Sequence, residues 1–158
     1  MVHDIQIDKA EKNDVADIAR IAYQIAKMHD ENVPEYFRPV SEANQLKNIQ
    51  EMLDDERIIV FKAVYEGSIS GFLFLEINHR VSSGLKFTKV GLILNFAVDE
   101  TCRNKGIGAK LLKSAEEFCL HQGCEALDLS VFFFNQRAIK FYEKQGYSIL
   151  DVSMRKVL

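Results

Sequence analysis

The chain has no tryptophan, only two prolines and only eight glycines among 158 residues. So few breakers leave room for long regular elements, and they make each glycine or proline a boundary that needs a reason. Its cysteines, Cys102, Cys119 and Cys124, are odd in number. That excludes a disulfide framework and reads as free thiols in a reducing compartment. Neither charge sign dominates: 20 Lys and Arg stand against 23 Asp and Glu, a net charge of −3. A general nucleic-acid binder is thereby excluded. No apolar run approaches the ~20 residues of a membrane span, and Met1–Asp4 leads straight into polar residues instead of a signal-peptide core. The expected location is the cytoplasm, with no membrane partner. Repeats and low-complexity runs are also missing. What is present is apolar: 47% of the residues are hydrophobic. A chain of this length buries roughly 68–70% of its unfolded surface, so residues 1–158 are expected to form a single domain without metal or disulfide staples.

Apolar periodicity gives the element order. Residues 2–8 suit a short strand. After Asn13 and Asp14, both N-cap types, Val15, Ile18, Ala22, Ile25 and His29 recur at helical spacing. The segment Asp30–Pro39 holds both prolines and interrupts that pattern. Ser41 caps a second helix carrying Leu46, Ile49 and Leu53 on one face. Ile58–Tyr65 and Ile69–Asn78 flank Glu66-Gly67-Ser68 and predict a hairpin. Val81–Gly84 is a loop. Val90–Val98 is apolar almost throughout, as expected of a strand covered on both faces. A loop over 99–105 leads to a helix from about Gly106, with Ile107, Leu111, Ala115 and Phe118 on its stripe and Gly123 at its end. A strand over Ala126–Phe133, a helix capped by Asn135 and closed by Gly146, and an extended Tyr147–Leu158 complete a β-α-α-β-β-β-α-β-α-β order.

Two segments carry chemistry. Arg103-Asn104-Lys105-Gly106-Ile107-Gly108 lies between a buried strand and a helix. Glycine permits close approach of backbone N–H groups to a phosphate, the helix start adds free donors and a positive dipole end, and Arg103, Lys105 and Lys110 add charge. A tight glycine turn into a helix is the alternative. A dinucleotide fingerprint would need glycine where Leu111 stands, and the Walker lysine pattern is missing. The second segment is Asn135-x2-Ala138-x2-Phe141-Tyr142-Glu143-x2-Gly146-Tyr147, which also reads as a capped amphipathic helix with an aromatic stripe. Cys119, His121 and Cys124 lack a fourth partner, so no metal is expected.

In order and spacing, these segments resemble the GNAT superfamily of acyl-CoA-dependent N-acetyltransferases. Arg103–Gly108 matches its Arg/Gln-x-x-Gly-x-Gly/Ala signature, and Asn135–Tyr147 matches its second signature. The resemblance implies an α/β fold: a mixed, mostly antiparallel twisted sheet splayed between its central strands, with about four helices on its faces. It implies acetyl-CoA as co-substrate, its pantetheine arm pairing with backbone around Phe96, Ala97 and Val98. The pyrophosphate would lie on Arg103, Asn104, Lys105, Gly106, Ile107, Gly108 and Ala109, and Asn135 would bond the arm. Tyr142 would be the general acid for the leaving thiolate. Some family members carry a glutamate where this chain has Gly91-Leu92; Glu76 is the substitute base, or merely a solvated strand-end charge. Related enzymes bind the acceptor at the first interhelical loop. There Asp30, Glu31 and Glu35 would attract a cation and Tyr36 and Phe37 would stack on it, unless the loop is simply solvated. The implied reaction is direct acetyl transfer to a primary amine, small-molecule or peptide. A non-catalytic acyl-CoA-binding sensor or interaction module is the alternative, and a homodimer is an open arrangement.

Overall fold

The computed structural model describes residues 4–80 and 83–158. Val2, His3, Val81 and Ser82 of the sequence reading lie outside them. A five-stranded sheet runs in the order β1-β2-β3-β4-β5. Its strands are β1 (Gln6–Lys9), β2 (Ile58–Tyr65), β3 (Ser68–His79), β4 (Lys89–Val98) and β5 (Ala126–Leu129). All neighbours are antiparallel except β4 and β5, which are parallel. The helices are α1 (Val15–Asn32), α2 (Glu42–Asp54), α3 (Ile107–His121) and α4 (Gln136–Lys144).

The β2–β3 hairpin turns on Glu66 and Gly67, both at positive φ (51° and 77°), the backbone a two-residue turn needs to match strand twist. Two cores form. On one face, Ile18, Ile21 and Ala22 of α1 and Ile49 of α2 pack on Val60, Phe72, Phe74 and Ala97. On the other, Ile107, Leu111, Leu112 and Ala115 of α3 pack on Phe61, Leu73, Leu75 and Ile93. At Gly91 the strand has no room beside α3 and β5: an added Cβ would sit 2.4 Å from Cys119 Sγ and 2.8 Å from Leu127. That strand position therefore tolerates no side chain, glutamate included.

One bulge organises the site. Phe74 pairs with Asn95 while Leu75 pairs with Ile93, so Leu94 is an extra residue in β4. A one-residue insertion exchanges the faces of everything beyond it. Ile93 thus joins the α3 core, Ala97 joins the α1 core, and Phe96 and Val98 return to the α3 side. The β4–β5 ladder also stops here, its last pair being Ile93 and Leu129. Past it, β4 continues to Val98 and β5 does not follow.

Three elements depart from the sequence reading. The first helix runs to Asn32, three residues past His29, so Asp30 and Glu31 are helical; no breaker precedes Pro34. The fifth strand ends at Leu129 instead of Phe133 because it leaves the ladder. Residues 147–158 form no strand, so the closing β of the expected order is missing.

Candidate active site

The gap between the diverging strands opens into a cleft of about 860 Å³, within the range of small-molecule and cofactor sites. Its walls are β4 from Ile93 to Val98, the start of α3, residues 129–132, one face of α4, and Ile25, Met28 and His29 of α1. Where β4 runs past the end of the β5 ladder it stays paired with β3 on one side, but its N–H and C=O groups on the β5 side have no neighbouring strand, and an amide-bearing ligand arm could pair with them.

One end of the cleft is built from backbone. Gly106 is the N-cap of α3 with φ +86°, and no side chain caps the helix. The first intrahelical bond runs from the Lys110 N–H to the Gly106 carbonyl. The N–H groups of Ile107, Gly108 and Ala109 precede it and are free to face an anion. Asn104 is also left-handed, at φ 64°. Gly108 plays a different part. A Cβ there would lie 3.1 Å from the Phe141 ring and 3.3 Å from the Phe96 ring, so its missing side chain admits the two aromatics that floor the cleft. The loop is held from behind by Asp99, which is 4% exposed. Asp99 accepts from the Thr101 N–H (3.0 Å) and hydroxyl (2.7 Å) and pairs with Arg20. Burial pushes its carboxyl pKa up, but the Thr101 hydroxyl, Arg20 and the Thr101 amide outweigh this and hold it at about 2.

The cleft's charge has one sign. Arg103, Arg137, Lys140 and Lys144 line it, and no carboxylate does among the described residues, although the chain carries a net charge of −3. Arg137, Lys140 and Lys144 come from α4 and were not singled out in the sequence. Their i, i+3, i+7 spacing on one helix face was the available signal. Arg137 donates to the Asn104 side-chain oxygen at 3.3 Å, joining α4 to the glycine loop. Two expected cations point elsewhere. Lys105 lies over the Tyr65 ring, 4.7 Å from its centroid, and Lys110 reaches the Ile5 carbonyl (3.2 Å) and Asp4 (3.6 Å).

The remaining candidates divide. Phe96, Ala97, Val98, Asn135 and Tyr142 line the cleft. Asn135 spends its side-chain oxygen on the Ala138 N–H (3.1 Å), capping α4, so its amide NH2 is what it can offer a ligand. Tyr142 packs among Phe96, Phe141 and Tyr147, and burial raises its phenol to about 12. Glu76 does not line the cleft. It sits on β3 opposite Leu92 and Ile58, on the side of Arg57, whose pKa is raised by its bonded partner Asp55 and in smaller part by Glu76. Asp30, Glu31 and Glu35 do not line it either; Glu31 lies 3.9 Å from Lys27 on the helix surface.

Aromatic rings close the other end. His29 stacks on Phe37 (centroids 5.4 Å apart) and contacts Phe132 at 5.1 Å and Phe134 at 5.9 Å. Tyr36 meets Phe132 edge-on at 5.4 Å. His29 and Phe132 are the members that face the cleft. Burial lowers the His29 pKa below its ordinary 6.5, leaving a neutral imidazole at neutral pH. Residue type gave no hint of His29, because a histidine on an amphipathic helix usually reads as part of its packing face.

The sequence profile of the acetyltransferase (GNAT) family matches residues 25–147. The chain belongs to that family. An uncharacterized N-acetyltransferase of Archaeoglobus fulgidus is 29% identical over 141 residues, 89% of this chain and 91% of that one. Two further curated relatives are matched over only 45% and 46% of their own length. Among solved structures, a tetramutant of the BH1408 protein from Bacillus halodurans superposes with a TM-score of 0.89. It shares 24% identity, and the match covers 97% of this chain and 99% of that one. Aminoglycoside N-acetyltransferase AAC(6')-Iy in complex with CoA superposes with a TM-score of 0.78 at 16% identity, over 99% and 95%. At these identities the two structures establish a shared fold. Among the described residues no helix is long and apolar enough to cross a membrane, and no three His, Cys, Asp or Glu side chains converge as a metal site.

Proposed function

We propose that residues 1–158 act as one N-acetyltransferase domain that moves an acetyl group from acetyl-CoA to a primary amine by direct attack. The observation that carries this reading is the single cleft that holds free helix-start N–H groups, four cations and an unpaired strand edge at one end and an aromatic wall with a neutral histidine at the other. A fold neighbour captured in complex with CoA supports it.

The roles follow from position. Ile107, Gly108 and Ala109 donate backbone N–H bonds to the pyrophosphate, with Arg103 and Arg137 neutralising it and Asn104 shaping the loop. Phe96, Ala97 and Val98 offer ladder groups to the arm, and Asn135 donates its amide to it. A β4 backbone N–H in this stretch stabilises the oxyanion that develops as the amine nitrogen bonds to the thioester carbon. The C–S bond then breaks and the sulfur requires a proton. A phenol near 12 is a far weaker acid than a thiol of ~8.5. Tyr142 therefore acts first as a hydrogen-bond donor to the departing sulfur and completes the transfer only as negative charge peaks there.

An alkyl ammonium must lose a proton before attack. His29 is the base that this cleft supplies, because its imidazole is uncharged at neutral pH and lies at the acceptor end. Glu76 does not reach that position. The acceptor subsite is formed by His29 and Phe132, with Phe37 and Tyr36 packed behind them. Rings without a carboxylate suit an amine attached to an apolar or aromatic body better than a polyamine. Thiol release from acetyl-CoA in the presence of an amine panel tests the proposal. Release with arylalkyl or aliphatic monoamines is expected. Coenzyme binding with no release across the panel would reassign the cleft to a coenzyme-binding module.

A further inference from the structure

Five of the chain's seven arginines bond an oxygen. Arg20, Arg57 and Arg80 pair with carboxylates, and Arg103 and Arg137 bond oxygens of cleft residues. Arg38 and Arg155 have no oxygen partner among the described residues. Both stand at the α1–α2 connection, beside the aromatic end of the cleft. Arg155 lies over Tyr36, 4.1 Å from the ring centroid, and Arg38 directly follows Phe37.

Arg38 lines a second cavity, of about 350 Å³, at the lower end of the range for small-molecule sites. His29 and Phe37 give this cavity an apolar wall, and Asn44, Gln45 and Asn48 of α2 give it a polar one. Among the described residues, the side-chain amides of these three make no hydrogen bond. No carboxylate lines the cavity, although Asp30, Glu31 and Glu35 are near in sequence. His29 is the residue it shares with the larger cleft.

The arrangement selects a ligand chemistry. A guanidinium only donates, and its planar fork matches a carboxylate in shape and charge. The neighbouring amide NH2 groups can fill the remaining lone pairs of that carboxylate. The four cations of the cleft stand at the coenzyme end, where bound phosphates would neutralise them. Arg38 and Arg155 are separate from that group and on the acceptor side of it.

We propose that the acceptor is an amine with an acidic tail: its nitrogen lies at His29, its apolar body lies along the rings, and a carboxylate at its far end is bound by Arg38, with Arg155 at the rim. Arg38 is then the residue that sets acceptor specificity. The inference rests on the acetyltransferase reading for what happens to the nitrogen, but not for the binding of the carboxylate.

Two matched pairs of probes test it: benzylamine with para-(aminomethyl)benzoate, and phenethylamine with phenylalanine. Calorimetric titration of the coenzyme A-saturated protein reads binding whether or not transfer occurs. At least one acid should bind ~10-fold tighter than its parent amine, a modest value for a charge-assisted hydrogen bond. Arg38→Gln should bring that ratio to about 1, and Arg38→Lys should keep part of it, because an ammonium retains the charge without the fork. Arg155→Gln should lower it only ~2-fold, as expected of an exposed charge. Lys47→Gln, on the exposed surface of α2, should leave it unchanged. Thiol release from acetyl-CoA separates this inference from the reading beneath it. Tighter binding of the acids without release would overturn the transfer reaction and leave the carboxylate site standing. Release with no preference for either acid would overturn the carboxylate site alone. Parent amines that bind as tightly as the acids, or a preference that survives in a folded Arg38→Gln, would also overturn it.

Discussion

The two ends of the cleft are made in opposite ways. The α3 end is made of backbone: a left-handed Gly106, a side-chain-free Gly108 and helix-start N–H groups, all within residues 103–109. The α1 end is made of side chains from three separate places: His29 on α1, Tyr36 and Phe37 on the connection to α2, and Phe132 and Phe134 after β5. A backbone site binds what backbone can recognise, a phosphate or an amide, and it tolerates little change. A side-chain site can be reshaped by single substitutions, so that is where specificity for the acceptor should reside.

The contrast is most easily broken at Gly108. Gly108→Val forces branched atoms against Phe96 and Phe141 and should reduce acetyl-CoA affinity by ~100-fold or more. A β-branched replacement also lacks room to relax in packed surroundings. Calorimetric titration of a variant shown to be folded checks it. Gly106→Val should fail for a different reason, the strain of a branched residue at φ +86°, and Gly106→Asn should recover much of the loss because asparagine tolerates that conformation.

Tyr142→Phe should lower kcat by ~10²–10⁴, the usual worth of acid–base assistance, with acetyl-CoA binding nearly unchanged. Single-turnover kinetics would separate this from an effect on product release. His29→Gln should cost less, about 10–100-fold in kcat at neutral pH. It should also remove an acid limb from the kcat/KM profile that lies below 6.5, the direction in which burial moves the imidazole. An unaltered acid limb would mean that the amine loses its proton elsewhere.

Asp99 sharpens the comparison through stability, because it supports the backbone end. Its folded pKa of about 2 lies below the ~3.9 of an unfolded aspartate. The unfolded chain therefore binds the proton first as pH falls, and the stabilisation is full above about 4 and lost towards 2. Asp99→Asn should flatten this part of a denaturation-against-pH series. The smallest effect is expected from converting Asp30, Glu31 and Glu35 together to their amides. None lines the cleft, and exposed charges contribute ~0–1 kcal/mol each, so the amine KM should change less than ~2-fold.

Legibility from sequence followed the same division. The glycine loop and the Asn135 cap are local, so residue spacing locates them, and the helix and hairpin pattern leads to the five-stranded sheet but for the closing strand it expects after α4. The aromatic end was partly misread because its members are far apart in sequence and join only through tertiary packing. Tyr36 and Phe37 are legible as an acceptor loop, and Phe132 and Phe134 at their strand's end as either pocket lining or core, but the nearby carboxylates point to charge and nothing local connects these rings to His29. Lys105 and Lys110 show a related limit. Sequence places a cation beside a loop, but the rotamer that sends it to Tyr65 or to Asp4 depends on distant neighbours. The C-terminal segment reads as a closing strand, and no strand forms there. Whether such a segment finds a partner strand depends on the sheet edge and not on its own pattern.

Amide hydrogen exchange with and without coenzyme A is the most direct test of a cleft with a backbone-built coenzyme end. The account predicts new protection at Phe96–Val98 and Ile107–Ala109, with little change at Tyr36, Phe37 and His29 until an amine is added. Saturating coenzyme A that leaves Ile107–Ala109 unprotected, or that protects the aromatic end instead, would contradict it.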